Sequence, residues 1–577
     1  MSRATALAVA LLAALLALTS CSTVPSASPV VEITQAPARV PQAVGIEPLP
    51  PEAGASAEEI VRDFINAAAS TVRRHPVARQ YLTPEADQAW DPDESGISVI
   101  GTDLAVVTTD AGAVTVTANL IGTVDPRGIF TAAERGLFTR TFSLQQVDGE
   151  WRISTPPDGL IMLEPDFRRL YDGVAAYFLD WTGQRVVPDP RYLIRGDSQP
   201  TALVERLIAG PSAPLAAGVR NPLSEAELVR GVTVQGQTAT VELTGLPAEP
   251  APLLAEISAQ LVWNLQQLDR PRISNVVVLL DGEPVTPAGV PVQQTVEDWA
   301  SFDPDAAPVD GVGHYIDAGA VKTVAEGQPV PGPAGTGEYG LTSAAIAADS
   351  ASGQLSFLTG VRTDAGGATL LAGDYGGGLT EVLRAGTLSA PTVAATRTEA
   401  WVVRDGAELV RIPKGGPPQP VAAPTLPGLG RTEVLQLSPD GVRAAVVVDG
   451  PQGRRLHVGT VVRSEDGAVV LRDLRNVAPT LAGVIDVGWR DSGNLLVLAG
   501  DEGEDRIVPY SVGVDGWGLT LVPTSGLPSQ PTALGVAPLR QPLVSAGDTV
   551  WQLAGGTWVT LVRGAEPLPG TAPFYPL

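Results

Sequence analysis

The chain has 577 residues, of which 44% are apolar and 18% charged, so it can bury sizeable cores and is not disordered on composition. At ordinary domain sizes this length makes about three to five units, which excludes one compact domain. Acidic residues number 63 against 38 basic ones, a net charge of −25, and that field repels polyphosphate backbones, so no nucleic-acid partner is expected.

The first element is an address. Arg3 precedes an apolar run from Ala4 to Leu18, which at about 1.5 Å per helical residue is too short for a bilayer core of roughly 30 Å and has the length of a signal-peptide core. The run ends in Leu18-Thr19-Ser20-Cys21, and Cys21 is the sole cysteine, so neither an intrachain disulfide nor a thiolate zinc cluster can form. This junction resembles a bacterial lipobox. The resemblance implies a signal peptide over 1–20, S-diacylglycerol and N-acyl groups on Cys21, and a protein anchored at the extracytoplasmic face of the cell membrane. Two or more acyl chains give stable anchoring, and no later stretch offers about 18 uninterrupted apolar residues. Residues 21–55 are rich in Pro, Ala and Val without period and read as a tether, at about 3 Å per residue reaching roughly 100 Å.

Residues 56–184 are expected to form an α+β domain. Ser56-Ala57-Glu58-Glu59 is a capping box, and Ile60, Phe64, Ile65, Ala68 and Val72 follow at helical spacing. Val114–Ile121 and Thr139–Val147 alternate like strands, and Asp148-Gly149 supplies a hairpin turn into Trp151-Arg152-Ile153. A helix followed by such strands resembles the cystatin-like and nuclear-transport-factor-like folds.

Residues 185–290 alternate helices and strands, which argues an α/β domain. One helix lies between Pro200 and Gly210 with Leu203, Leu207 and Ile208 on its apolar face. Strands follow at Val232–Val234 and Ala239–Leu243. A second helix, Pro252–Leu268, sets Leu254, Ile257, Leu261, Leu265 and Leu268 in one stripe, before a buried strand Ile273–Leu280 closed by Asp281-Gly282. The run from Ala202 to Pro211 with the paired short strands resembles the GerMN domain of sporulation and envelope proteins.

Residues 291–340 read as a linker with an entering strand near His314–Thr323. Over 341–577, apolar strand-sized runs recur: Leu355–Leu358, Ala400–Val403, Ala444–Val448, Leu495–Leu498 and Val550–Leu553. The turn in Leu437-Ser438-Pro439-Asp440-Gly441-Val442-Arg443-Ala444 is echoed about 50 residues later around Asp491-Ser492-Gly493. That interval is the mark of propeller blades, here about five or six, because a blade buries both faces only against its neighbours.

No residue is assigned to catalysis, a cofactor or a metal, and the chain is not expected to be an enzyme. His75, His314 and His457 contain no i, i+4 pair. Gly335-Thr336-Gly337-Glu338-Tyr339-Gly340 fits a dinucleotide pattern but lacks the strand before it and the helix after. Asp91–Gly96 opens like a calcium loop, yet Thr102 stands where a bidentate Glu is required. Asp501–Asp505 is an acidic turn open to a basic partner. Trp489, Trp517, Trp551 and Trp558 are expected in propeller packing, with stacking on sugars as the alternative.

The order lipobox, tether, α+β domain, GerMN-like domain and propeller resembles the LpqB family of actinobacterial lipoproteins. The resemblance implies association with the extracytoplasmic part of an MtrB-type sensor histidine kinase, and through it control of the response regulator MtrA, the envelope and cell division. Cell-wall glycan, bound or cleaved in the propeller funnel, is the alternative.

Overall fold

The computed structural model describes residues 48–577 apart from 111, 135, 309–310, 351, 501–505 and 562–565. The signal peptide, Cys21, most of the tether and the Asp501–Asp505 turn lie outside the described residues.

The first domain opens on the helix Ala57–Ala68, whose cap has both halves of the box: Ser56 Oγ accepts from the Glu59 N–H, and the Glu59 carboxylate accepts from the Ser56 N–H. Ile60, Val61, Phe64 and Ile65 are buried under a seven-stranded sheet, with Phe142, Val114 and Trp90 beneath them. Val72 does not belong to this helix and is half-exposed. The helix stops at Ala68, and Ser70 Oγ takes the Val72 N–H at 3.3 Å, a local bond that competes with helix continuation. Strands Ala113–Val124, Leu137–Val147 and Glu150–Thr155 form the meander, and Asp148 and Gly149 turn it with φ of 53° and 84°.

The second domain begins earlier than Arg185. Strand Tyr171–Asp180 pairs along its length with Val186–Ile194, so position 185 lies between the two arms of one hairpin. Val174, Ala176 and Phe178 point into the second core, beside Leu203, Leu207, Ile257, Leu261 and Leu265 of its two helices, Gln199–Ile208 and Ala251–Gln266. The long helix has a polar stripe as well as the apolar one. Asn264 both accepts from the Tyr177 N–H at 2.9 Å and donates to its carbonyl at 3.1 Å. Gln267 does the same for Ala175 at 2.9 and 2.7 Å. Side-chain amides thus satisfy a strand edge that no other strand pairs there.

The third domain is a six-bladed propeller. Four-stranded sheets begin at Ser343, Thr392, Arg431 and Ala482, and a five-stranded one at Pro531; these are blades 2 to 6. Blade 1 joins both ends of the domain: Ala320–Thr323 and His314–Asp317 are completed by Thr571–Phe574, in the order 320–323, 314–317, 571–574. The segment near 314–323 is therefore part of a blade and not a strand ahead of the ring, and the ring starts before residue 341. The innermost strands touch in sequence around the ring, and Thr571–Phe574 touches both the blade 6 and the blade 2 inner strands, which closes it. Side chains staple neighbouring inner strands: Leu437 N–H donates to Thr392 Oγ1 at 3.2 Å, Trp489 Nε1 to the Gln436 carbonyl at 3.0 Å, and Leu534 N–H to Asp486 Oδ2 at 2.7 Å.

All described residues fall in one compact unit. Among them no helix is long and apolar enough to cross a membrane.

Candidate functional site

The first-to-second-strand turn of blade 4, the third-to-fourth-strand turn of blade 5 and the third strand of blade 4 carry the docking face for the other two domains. In blade 4 the Ser438–Arg443 turn is locked from within: Ser438 Oγ donates to Asp440 at 2.5 Å, the Arg443 N–H to Ser438 Oγ at 2.9 Å, and Arg443 pairs with Asp440 at 3.1 Å, all buried. The second-domain hairpin sits on this turn. Arg443 donates to the Pro188 carbonyl, Arg185 to the Pro439 carbonyl at 2.9 Å, and Thr460 Oγ1 to the Pro214 carbonyl at 2.7 Å.

Behind this contact lies a buried ion pair, Asp189 with Arg191 at 2.9 Å, completed by the Ser212 N–H at 2.6 Å and hydroxyl at 2.8 Å. Burial opposes ionisation of Asp189, but the Arg191 charge and these donors outweigh it and hold the carboxyl below its usual range. Tyr192 donates to Asp515 of the blade 5 loop at 3.0 Å. Burial pushes the Asp515 carboxyl up and raises the Tyr192 phenol far above its ordinary value, so the Tyr192 proton stays in that bond.

Trp517, two residues on, is where all three domains meet. Its ring lies 4.9 Å from Phe130 and 5.1 Å from Phe167 of the first domain, and 5.5 Å from Tyr192 of the second, with the Arg168 guanidinium 4.7 Å above it. Arg127 of the first domain donates to the Ala209, Gly210 and Pro211 carbonyls at 3.0, 2.6 and 3.1 Å. The remaining void at the junction measures about 20 Å³, room for about one water.

The four tryptophans do not form a sugar platform. Trp489 and Trp558 are buried, the latter donating to the Pro523 carbonyl at 2.9 Å, Trp517 fills the junction, and Trp551 is half-buried with its N–H on Thr549. His75 pairs with Asp93 at 3.3 Å within the first domain, so the third residue of the calcium-loop-like run Asp91–Gly96 is taken up by a histidine. Gly335 lies on a single helical turn, Pro333–Thr336, where a Cβ would come 1.8 Å from the Val330 oxygen; close packing demands that glycine. Among the described residues no cluster of three or more metal-ligating side chains occurs.

The second feature is the channel through the propeller, a cavity of about 280 Å³ walled by the inner strands of blades 2 to 6 and by Thr571–Phe574. Of its lining side chains only Glu433 and Asp486 carry charge. Sequence reading named a propeller funnel but neither of its charged lining residues, and it missed the junction. The one local trace was the Ser-Pro-Asp-Gly turn, whose partners lie some 250 residues away.

Family models match all three domains: the lipoprotein LpqB N-terminal domain over 50–168, a sporulation and spore germination domain over 175–286, and the lipoprotein LpqB beta-propeller domain over 320–576. A lipoprotein LpqB of Rhodococcus opacus is 31% identical over 97% of both chains, and one of Nocardia farcinica is 30% identical over 99% of this chain and 97% of its own. The chain belongs to the lipoprotein LpqB family. That family is named for a lipoprotein with a propeller, not for an enzyme. Solved structures at low similarity include tandem GerMN domains of the Bacillus subtilis sporulation protein GerM, 16% identical over 22% of this chain and 47% of that one with a TM-score of 0.17. TolB of Acinetobacter baumannii is 12% identical over 56% and 86%, with a TM-score of 0.30.

Proposed function

We propose that this LpqB-family chain is an extracytoplasmic lipoprotein, held to the membrane by lipid on Cys21, that acts as a non-enzymatic accessory of an MtrB-type sensor histidine kinase and so influences envelope and cell-division control. The observation that carries the reading is the junction around Trp517, Tyr192–Asp515 and Arg443–Pro188, which ties three domains into one body. A stiff body on a tether of about 30 residues suits presentation of a fixed surface to another membrane protein. Anchoring both in one membrane raises their effective concentration. Such an accessory shifts a kinase only through different affinity for its signalling states.

The test compares wild type with Cys21→Ala at equal protein level. The variant is expected to leave the membrane fraction, to lose kinase cross-links in intact cells and to change response-regulator phosphorylation. Unchanged phosphorylation with the protein displaced would refute the accessory role, and retention at the membrane would refute the anchor.

A further inference from the structure

The propeller channel is a blind funnel. Residues 303–308, which lead from the second domain into the ring, are bound across one of its mouths. Asp305 accepts from the Ser492 N–H of blade 5 at 2.7 Å, Arg397 of blade 3 donates to the Ala306 carbonyl at 2.8 Å, and Arg540 of blade 6 donates to the Pro308 carbonyl at 2.8 Å. Blades 3 and 6 face each other across a six-membered ring, so this strap lies over the axis. The mouth where the inner strands begin, beside Glu433, carries no such strap among the described residues.

The charge inside is one-signed. Glu433, two residues into its strand, is paired with Arg431 at 3.0 Å. Asp486 lies deeper, at mid-strand, and its oxygens accept only the Val487 and Leu534 N–H groups, at 2.9 and 2.7 Å. No lining residue is basic, and among the described residues Asp486 has no ion-pair partner. Burial pushes its carboxyl up to about 6, so at neutral pH it is an anion held without a counter-charge. A carboxylate offers about four lone-pair sites, and two remain open. Each inner strand is also the last of its sheet, so its channel-side carbonyls have no strand partner. The rest of the wall mixes strand backbone with apolar side chains, including Val434 and Leu534, with the Tyr575 ring near the strapped end.

We propose that this channel binds a small linear alkylammonium group, its carbon stem along the apolar wall and its three N–H donors shared between Asp486 and inner-strand carbonyls. The cavity lies near the lower end of the roughly 300–1,000 Å³ typical of ligand pockets, which suits a short chain and not a folded partner. Anions are repelled by both carboxylates. A neutral ligand leaves the Asp486 charge uncompensated, which is costly in a low-dielectric wall. The chemistry is shared by a free diamine and by a lysyl side chain on a peptide. The inference is independent of the kinase reading, since a ligand can bind whether or not a kinase does.

Calorimetric titration of the mature protein with 1,5-diaminopentane, N-acetyl-lysine methylamide and glutarate tests it. At least one amine is expected to bind saturably at pH 8 and glutarate not to bind, and whichever amine binds more tightly identifies the source. Asp486→Asn should weaken the amine about tenfold or more with unchanged circular dichroism. Glu433→Lys, at the open mouth and away from the blade staple, should weaken it about fivefold or more and keeps the test decisive if Asp486→Asn does not fold. Absence of amine binding at millimolar concentration, equal binding of glutarate, or unchanged binding in Glu433→Lys would overturn the proposal.

Discussion

His314 sits on the strand that receives the ring-closing segment, fully buried and stacked 5.4 Å from Phe574. Burial lowers its pKa from 6.5 to about 4, and the Val312 backbone offsets only part of this. The unfolded chain therefore binds a proton that the folded chain refuses between those values, so stability falls as pH drops from about 6.5 to 4. At 1.36 kcal/mol per pKa unit the full loss is about 3 kcal/mol. Urea unfolding at pH 7.5 and 4.5 should give a smaller difference for His314→Phe than for wild type, by about 2–3 kcal/mol; equal differences would mean that His314 is not the group responsible. None of this was legible from His314 alone, because a lone histidine in a sequence gives no sign of what covers it.

At the scale of the element, the long helix Ala251–Gln266 was read for its apolar stripe, and Ile257, Leu261 and Leu265 are indeed fully covered. The amides of Asn264 and Gln267 went unread because they matter only through a strand some 90 residues earlier. Asn264→Leu keeps the helix and its volume but strands the Tyr177 N–H, while the Tyr177 carbonyl keeps its bond from Gln260 Nε2 at 2.9 Å. At about 1–3 kcal/mol for an unpaired buried group, a loss of that size is expected, measurable by chemical denaturation. A loss below about 0.5 kcal/mol would show that water replaces the amide. By contrast, the capping box at Ser56, the Asp148-Gly149 turn and the Ser438–Arg443 turn were legible because each is settled by residues within a few positions of one another.

Over the whole molecule, the modular order was legible and its assembly was not. Tyr192 meets Asp515 across 323 positions, and composition carries no trace of such a pairing. Trp517 was expected in blade packing, yet its ring serves the interface among three domains. Trp517→Ala should cost about 3 kcal/mol, as for other packed aromatics, and the cost should fall on coupling between domains. Scanning calorimetry is expected to show one main transition for the parent and at least two for the variant, with faster proteolysis near Asp303–Pro308 and a propeller that still melts as a unit. A single transition merely shifted downward would place the cost inside the propeller instead.

The ring is shut by Thr571–Phe574 bonding to His314–Asp317, so the earliest and latest parts of the propeller must meet before any of it is complete. Until Thr571–Phe574 is in place, blades 2 to 6 can form only an open arc with two raw edges. A chain that stopped short of Thr571 would therefore lose the closure of the whole ring along with its missing tail, and the unfinished arc would be prone to aggregate through its bare edges.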